Sequence, residues 1–284
     1  MVINEGEYMK TVEVLKNAKQ KLKENIIDER EARLLLSYVL GIKNEDLIKY
    51  DEIDDETYKQ FQLILDKRCA HIPYAYLVGH QEFMKLDFKV NENVLIPRAD
   101  TEILVEEVIN ICKELNLPNV NILDMCTGSG CIAISLAKYV ENADVIAVDI
   151  SEEALKIAKE NAIHNDVNVN FIKSDLFKEL NETKFDLIVS NPPYIKRDFI
   201  KELENEVKYN EPIIALDGGN DGLDFYRRII KDAKKYFNKD GIIAFEIGFD
   251  QGEEVKMLLE ENGFVDVRTV KDYAQNDRVV IGRI

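Results

Sequence analysis

Apolar residues recur at helical spacing through the first part of the chain. One amphipathic stretch begins near Asp28, which a glutamate follows three residues later, and ends at Gly41. A second stretch begins at Asp54 or Asp55. The apolar positions of these stretches are Leu35, Leu36, Val39 and Leu40, then Tyr58, Phe61, Ile64 and Leu65. The pattern predicts a small, all-helical N-terminal domain over residues 1–79.

A short alternating pattern follows this segment. Phe83, Leu86, Phe88 and Val90 alternate with polar residues, and Asn91-Glu92-Asn93 contains turn-forming side chains. We expect a hairpin with these asparagines near its turn, which connects two domains over residues 80–98.

From residue 99 onward, short β-branched runs alternate with helical stretches. The predicted strands are Val120–Met125, Asp144–Asp149, Val169–Lys173, Leu187–Ser190, Ile242–Ile247, Val265–Lys271 and Val279–Gly282. The clearest helices are Ile132–Tyr139, Glu152–Asn165, Phe225–Phe237 and Gln251–Glu261. Strands that alternate with helices form right-handed crossovers, whereas the seven residues between the last two strands allow only an antiparallel hairpin. The sequence therefore predicts an α/β domain over residues 99–284, with a doubly wound, mostly parallel, seven-stranded sheet.

The charge balance narrows the function classes. The 284 residues include 37 basic and 54 acidic side chains, which gives a net charge of −17. A protein that binds duplex phosphates normally carries a basic surface, so we expect no direct binding to nucleic acid. No apolar run approaches the ~18 residues of a membrane span, and residues 1–10 do not resemble a leader. We expect a soluble, cytoplasmic monomer with no membrane partner.

Metal chemistry is not expected from the cysteines and histidines. The four cysteines form no C-x-x-C pair, and His71 is the only histidine near a second possible ligand, Cys69. We therefore expect reduced thiols and no metal site.

A glycine-rich turn follows the first predicted strand of the sheet. Cys126-Thr127-Gly128-Ser129-Gly130 leads directly into a helix, where glycines let a ligand approach and free amides favour polar groups. Asp149 ends the second strand, 19 residues after Gly130, where an acid accepts hydrogen bonds from ribose hydroxyls. The two features indicate a nucleoside-containing cofactor. Gly128-x-Gly130-x-x-Ala133 also satisfies the dinucleotide fingerprint, and a tight turn without a ligand is the structural alternative.

Asp175 closes the third predicted strand and is expected at the same sheet edge. Its carboxylate is a candidate acceptor for an adenine amine, with Leu176 or Phe177 beside the ring. A solvated loop acid explains the same residue equally well.

The fourth predicted strand runs into Asn191-Pro192-Pro193-Tyr194. Two consecutive prolines fix two φ angles and remove two N–H donors, so the loop is stiff and presents free carbonyls. The Asn191 side-chain oxygen and the Pro192 carbonyl can accept both hydrogens of a planar NH₂ group, while Tyr194 offers a flat face. Such a clamp would aim a weakly nucleophilic nitrogen at an electrophilic methyl group, an orientation worth up to ~7–11 kcal/mol.

These motifs resemble those of the S-adenosylmethionine-dependent methyltransferases. Longer strings resemble the release factor glutamine methyltransferase family, which modifies the glutamine of a Gly-Gly-Gln tripeptide, and the resemblance extends over nearly the whole chain. The strings are Leu95-Ile96-Pro97-Arg98-Ala99-Asp100-Thr101-Glu102, Ser190 to Ile195, Ala215-Leu216-Asp217-Gly218-Gly219 with Asp221-Gly222-Leu223, and Phe245-Glu246-Ile247-Gly248 with Asp250-Gln251-Gly252.

The resemblance also implies residue roles. The segment Cys126-Thr127-Gly128-Ser129-Gly130 would line the methionine end of S-adenosylmethionine, and S-adenosyl-L-homocysteine would be the product. Asp149 would hold the ribose, and Asp175 and Leu176 would lie near the adenine. The catalytic candidates would be Asn191, Pro192 and Tyr194. The substrate-binding candidates would be these three residues and Pro193, and Asn191 would also border the cofactor. The N-terminal helices would help to dock the protein substrate.

Two positions depart from the family's usual pattern. Cys126 stands where glycine is usual, and Ala99 stands where proline is usual. The cysteine β-carbon would restrict the approach of the cofactor's carboxylate end, and Ala99 would loosen the loop before a helix that Asp100 can cap. Both departures bear on cofactor affinity.

The resemblance thus predicts an enzyme, a protein-glutamine N-methyltransferase whose partners are peptide chain release factors. A glutamine methyltransferase for a ribosomal protein is the nearest alternative. An adenine-amine DNA methyltransferase fits the clamp, but the acidity and the lack of a target-recognition domain speak against it. An NAD-dependent dehydrogenase leaves Asn191 to Tyr194 unexplained, and a non-catalytic adaptor that retains the cofactor fold is a further alternative.

Overall fold

The structure is a computed structural model that describes residues 8–116, 118–181 and 183–284. The chain divides into two compact units, one that ends at Val78 and one that extends from Gly79 to Ile284. The hairpin segment of residues 80–98 therefore belongs to the second unit.

The first unit is mainly helical. Its described elements are β1 (Tyr8–Lys10), α1 (Thr11–Glu24), α2 (Glu31–Leu40), β2 (Glu52–Asp54), α3 (Asp55–Cys69) and α4 (Tyr74–Val78), with a 3-10 turn over Asn44–Lys49. Leu22, Leu35 and Phe61 are fully buried where α1, α2 and α3 pack together. The strands β1 and β2 pair in antiparallel fashion, so the expected all-helical domain also contains a two-stranded sheet. Strands of three residues are too short to show an alternating pattern in the sequence.

Two of the three predicted helix ends in this unit are correct. Gly41 ends α2 with φ 65°, in the left-handed region that glycine favours. Asp54 caps α3, because its side chain accepts the Thr57 N–H at 2.7 Å. Asp28 is not the cap of α2: it accepts the Arg30 N–H at 2.9 Å in a turn that precedes the helix.

The second unit is a doubly wound α/β domain. Its elements are β3 (His80–Phe83), β4 (Leu86–Lys89), α5 (Ala99–Leu115), β5 (Val120–Met125), α6 (Cys131–Tyr139), β6 (Ala143–Asp149), α7 (Glu152–His164), β7 (Asn170–Lys173), β8 (Phe185–Ser190), α8 (Asn205–Asn210), α9 (Asp224–Ala233), β9 (Phe237–Glu246), α10 (Gly252–Glu261), β10 (Val265–Lys271) and β11 (Asp277–Arg283). The main sheet has the order β10-β11-β9-β8-β5-β6-β7. The five consecutive strands β9, β8, β5, β6 and β7 are parallel to one another. The strand β11 runs antiparallel to both β9 and β10. The predicted seven-stranded sheet with an antiparallel edge hairpin is confirmed.

Most of the other boundaries in this unit shift by one or two residues from the prediction, and three differences are more informative. The helix α9 ends at Ala233, and β9 begins at Phe237 rather than Ile242, because Phe237 pairs with Phe185 of β8. The polar residues between Phe237 and Ile242 gave no strand pattern. The helix α5 begins at Ala99, so Asp100 lies in its first turn instead of at its cap.

The hairpin also turns at a different place. Its strands β3 and β4 are joined by Met84 and Lys85, whose φ angles are 51° and 60°. Two consecutive residues with positive φ are typical of the type I′ turn, which usually contains asparagine or glycine. The expected turn at Asn91 does form, with a 3.1 Å bond from the Val94 N–H to the Asn91 carbonyl, but it follows the hairpin.

Apolar layers cover both faces of the main sheet. Leu187 packs in one layer and its neighbour Ile188 packs in the other, as the two-residue period of a strand requires. Both side chains are fully buried. The parallel strands between these layers end at a common edge, and the loops that follow them meet there.

Candidate active site

A cleft opens at the carboxyl edge of the sheet, where open α/β sheets bind ligands. It contains about 820 Å³ of space not filled by atoms, its opening to solvent included. From the loops after the parallel strands, its lining includes Cys126, Gly128, Asp149, Asp175, Leu176, Asn191 and Pro193. Other walls come from Asn93, Val94, Leu95, Pro212, Ile214, Ala215, Phe225 and Arg228. The predicted cofactor loop and the Asn-Pro-Pro-Tyr segment therefore border one cleft.

The glycine turn after β5 adopts a left-handed backbone at three positions. The φ angles are 64° at Cys126, 54° at Gly128 and 82° at Gly130. A Cβ on Gly130 would lie 3.1 Å from the Ala158 Cβ, so this glycine lets the turn pack against α7. Cys126 adopts a conformation that side chains rarely take, which identifies it as a strained position in the cleft wall.

Asp124 holds the glycine turn from inside the protein. Its Oδ2 accepts the Thr127 hydroxyl at 2.6 Å and the Ala133 N–H at 3.2 Å. Its Oδ1 is buried without a hydrogen-bond partner among the described residues. Burial raises the pKa of Asp124 to about 7. Sequence analysis missed this residue, although an acid at the end of an apolar strand is an informative exception to the usual burial pattern.

Asp149 joins the ends of β5 and β6. Its Oδ2 accepts the Gly128 N–H at 2.8 Å, and its Oδ1 accepts the Ser151 N–H at 2.9 Å. Burial raises the pKa of Asp149, while these backbone bonds act in the opposite direction. Ser151 caps α7 by accepting the Ala154 N–H at 3.1 Å, so the aspartate is not needed as the cap.

Asp175 lies in the cleft wall within a small charged group. It accepts hydrogen bonds from Lys178 Nζ and Arg228 Nη2, both at 2.6 Å, and these bonds lower its pKa. Leu176 also borders the cleft, but Phe177 does not, because its ring stacks on Tyr236 with centroids 4.5 Å apart. Of the two candidate ring neighbours, the structure places only Leu176 at the cleft.

The Asn-Pro-Pro-Tyr segment presents its first residue to the cleft and buries its last. The Asn191 Nδ2 donates to the Thr101 Oγ1 at 3.4 Å. The Tyr194 hydroxyl donates to the Glu246 Oε1 at 3.4 Å, and burial raises its pKa. The Tyr194 ring packs against one of the apolar layers and does not line the cleft.

The loop of residues 215–223, called the backing loop below, supports this segment from behind. A Cβ on Gly218 would lie 2.7 Å from the Tyr194 Cα, and a Cβ on Gly222 would lie 2.4 Å from the Tyr194 carbonyl oxygen. The Gln251 Nε2 donates to that same oxygen at 3.0 Å. The backing loop therefore has a packing function that requires glycine at both positions.

An ion pair connects two walls of the cleft. Arg98 Nη2 donates to Glu211 Oε1. Arg98 follows the wall formed by residues 93–95, and Glu211 precedes the wall that begins at Pro212. Glu211 is buried, which raises its pKa despite the opposing charge of Arg98, and its Oε2 has no partner among the described residues.

Several predicted site residues do not border the cleft. Thr127 faces Asp124, and the Ser129 carbonyl accepts the Asn161 side chain at 2.9 Å. Gly130, Pro192 and Tyr194 are also absent from the lining. These residues shape the loops that carry the lining residues.

Within the residues that the structure describes, none of the helices combines the length and the apolar character that a membrane span needs. No group of three or more histidine, cysteine or carboxylate side chains in that part of the chain is arranged to hold a metal ion.

Each of the two units matches a known protein family. A family model described as the methyltransferase small domain matches residues 100–205, and one described as the PrmC N-terminal domain matches residues 13–79. The chain is 45% identical to a release factor glutamine methyltransferase of Clostridium acetobutylicum, over 88% of this chain and 90% of that protein. It is 40% identical to one of Thermodesulfovibrio yellowstonii, over 96% of this chain and 98% of that protein.

The fold is also similar to that of a solved structure. The 16S rRNA N2 G1207 methyltransferase of Thermus thermophilus, in complex with AdoMet and guanosine, superposes with a TM-score of 0.50. The sequences are 16% identical, and the match covers 72% of this chain and 49% of that one. At this identity the similarity concerns the fold.

Proposed function

Because the chain belongs to the release factor glutamine methyltransferase family and is thus a protein-glutamine N-methyltransferase, we propose that its acceptor is a peptide chain release factor. The modified atom is the side-chain amide nitrogen of the glutamine in the Gly-Gly-Gln motif. The observation that carries the proposal is the shared border of the Asn191 loop and the Asp149 loop at one cleft.

The cleft residues fit S-adenosylmethionine as the methyl donor. Each Asp149 oxygen already accepts one backbone N–H and keeps lone-pair capacity for a ribose hydroxyl. Cys126, Gly128, Asp175 and Leu176 all line the cleft. We assign Cys126 and Gly128 to the methionine end of the cofactor, and Asp175 and Leu176 to its adenine. When bound, this cofactor supplies an electrophilic methyl group on a positively charged sulfur.

Asn191 and Pro192 orient the acceptor. The Asn191 Oδ1 at the cleft and the carbonyl of Pro192, the next residue, which does not itself line the cleft, would accept the two amide hydrogens of the glutamine. These bonds would fix the plane of the group and the direction of its nitrogen. The cofactor held by the Gly128 and Asp149 loops would supply the methyl group to the nitrogen that Asn191 orients, and would be left as a neutral thioether. The alkylated nitrogen is acidic and releases one proton to water, so no strong base is required.

We assign the first unit to docking of the release factor. Its exposed Tyr38 and Leu63 border a shallow groove on this unit, which supports a role in protein binding. We further propose that the enzyme acts as a monomer, in the cytoplasm.

The test is direct methylation of a release factor. Purified enzyme, S-adenosylmethionine and a release factor are incubated, and peptide mass spectrometry locates the added methyl group. We expect a single methyl on the Gly-Gly-Gln glutamine and none on a matched factor in which that glutamine is replaced by alanine. Ribosomal proteins and adenine-containing DNA serve as competing acceptors. Methylation of one of these, with the factor left unmodified, would overturn the proposal.

A further inference from the structure

A buried polar group lies behind Asn191 and takes no part in the reaction as described. It consists of Thr101, in the first turn of α5, and Glu246, at the end of β9. Each residue is only 2% exposed. Neither residue lines the cleft, and both belong to strings whose chemical role the sequence did not reveal.

The contacts connect these residues to both ends of the Asn-Pro-Pro-Tyr segment. Thr101 Oγ1 accepts the Asn191 side-chain N–H at 3.4 Å. The Thr101 and Tyr194 side chains both lie beside the Glu246 carboxyl, and each lowers its pKa. The Glu246 Oε1 accepts the Tyr194 hydroxyl at 3.4 Å. Its Oε2 is buried and has no hydrogen-bond partner among the described residues.

The donors and acceptors in this group determine which end of the Asn191 amide faces Thr101. Burial raises the pKa of Glu246 to about 7, so its carboxyl is mainly ionised above that pH. An ionised carboxylate only accepts hydrogen bonds, so the Thr101 hydroxyl beside it then donates its single hydrogen to the carboxylate. The Thr101 oxygen is then left as an acceptor on its other side, where it requires the NH₂ end of Asn191. With its NH₂ end held in this way, the Asn191 amide turns its Oδ1 away from Thr101.

We propose that Thr101 and Glu246 are positioning residues that fix the orientation of the Asn191 amide, so that its oxygen faces the acceptor. The inference rests on the proposed function, because an acceptor NH₂ group requires an oxygen at this place. A flipped amide would present two hydrogens to two hydrogens and would repel the glutamine. The same carboxyl also accepts the Tyr194 hydroxyl. One buried acid therefore orients Tyr194 directly and Asn191 through Thr101.

Isosteric substitution of Thr101 separates orientation from packing. Thr101→Val keeps the shape and removes the hydroxyl, whereas Thr101→Ser keeps the hydroxyl and removes a methyl group. We expect Thr101→Val to lower kcat about tenfold to hundredfold, because small misplacements of reacting groups cost rates of this order. Thr101→Ser should stay within about threefold of the wild type, since it preserves the hydrogen bond. The dissociation constant for S-adenosylmethionine should change by less than about threefold in both variants, because Thr101 does not line the cleft.

Glu246→Gln supplies a second variant. A glutamine can offer either its oxygen or its NH₂ group to Thr101, so the direction is weakened without being abolished. We expect a smaller fall in kcat, about threefold to tenfold.

A Thr101→Ser variant as impaired as Thr101→Val would show that Thr101 acts by packing, and would overturn the inference.

A spectroscopic measurement tests the orientation without any substrate. In enzyme labelled with ¹⁵N-asparagine, we expect one Asn191 side-chain amide proton to be protected from solvent exchange in the wild type and in Thr101→Ser. Its protection should be lost in Thr101→Val. If wild-type enzyme fails to methylate the factor while this pattern holds, the proposed function fails and the orientation stands. If the factor is methylated and Thr101→Val equals wild type in rate and protection, the inference is wrong.

Discussion

Asp149 accepts the backbone N–H of Gly128 at 2.8 Å, so the acid proposed to hold the ribose also holds the glycine turn. Its other oxygen accepts the Ser151 N–H at 2.9 Å. A change at this side chain therefore affects both the shape of the turn and the proposed ribose contacts.

Asp149→Asn replaces one of these acceptor oxygens with a donor that faces a backbone N–H. We expect the affinity for S-adenosylmethionine to fall about tenfold to hundredfold, because each charge-assisted hydrogen bond contributes ~1.5–3 kcal/mol. Isothermal titration calorimetry measures the change. The control is Ser151→Ala, which removes the cap of α7 and should lower thermal stability while affinity is retained. Equal affinity in Asp149→Asn and the wild type would contradict the ribose assignment.

Asn191→Ala removes the proposed acceptor oxygen of the clamp. Turnover should fall by at least about a hundredfold, since orientation of the acceptor supplies much of the rate. Cofactor affinity should remain within about threefold, because the lost contacts belong to the glutamine. Tyr194→Phe is the comparison variant: it keeps the ring, loses the hydroxyl bond to Glu246, and should reduce turnover less. Parallel loss of turnover and cofactor binding in Asn191→Ala would contradict the clamp assignment.

Cys126→Gly tests the strain in the cleft wall. Cys126 has φ 64°, a conformation that costs a non-glycine residue about 1–2 kcal/mol. We expect a modest net gain in unfolding free energy, offset in part by the greater freedom of glycine in the unfolded chain. Urea unfolding measures it. Cys126→Ala keeps the β-carbon and the strain while it removes the thiol, so it should show no such gain. If the β-carbon also restricts the cofactor, only the glycine variant should bind S-adenosylmethionine more tightly.

The ion pair between Arg98 and Glu211 should contribute to cofactor binding through the cleft walls. Arg98→Ala leaves Glu211 buried without its partner, and loss of one member of a buried pair costs up to about 3–5 kcal/mol. Because Arg98 is 41% exposed at its side chain, we expect a smaller penalty, together with weaker cofactor binding. Adding Glu211→Gln to Arg98→Ala removes the unpaired charge and should restore part of the stability. A double variant less stable than Arg98→Ala would contradict this explanation.

The buried Asp124 predicts a pH dependence of stability. Its folded pKa of about 7 exceeds its ordinary value of 3.8, so the folded state binds the proton more tightly than the unfolded state. The stability that this group contributes is present below about pH 4 and is lost as the pH rises toward about 7. Asp124→Asn cannot ionise, so its unfolding free energy should rise relative to the wild type as the pH increases across this window. The relative change should be of the order of a few kcal/mol, about 4 at most.

Asp221 provides a control of opposite sign for this experiment. The hydrogen bond from Arg227 lowers the pKa of Asp221 to about 2. Its contribution to stability is present above the unfolded pKa and is lost as the pH falls through the folded pKa. Asp221→Asn should therefore lose stability relative to the wild type as the pH rises from about 2 to about 4. Unfolding curves in which both variants shift in the same direction would contradict the assignment of Asp124.

The sequence predicted the features that follow from local pattern and from sheet geometry. The strand limits at Val120–Met125 and Val265–Lys271 are as expected. The loops that carry Asp149 and Asn191 share a cleft, because parallel strands end at one edge. The position of the hairpin turn was not predictable, because Met84 and Lys85 adopt positive φ without the residue types that favour it.

The arrangement of Thr101 and Glu246 behind Asn191 was also beyond the reach of sequence pattern. Thr101 and Glu246 come from different elements, and only the packed fold brings their side chains together behind Asn191. The position of Tyr194 illustrates the same limit. Its ring lies in an apolar layer rather than along the cleft, since its orientation depends on Glu246 and the backing loop.

The tight fit of Gly218 and Gly222 against the Tyr194 backbone limits how the enzyme can be redesigned. Any larger side chain at these positions would push the whole Asn-Pro-Pro-Tyr segment and misalign its carbonyls. Engineering for a bulkier acceptor should therefore leave Gly218 and Gly222 unchanged. Space should instead be created at Ile214 or Ala215, which already border the cleft.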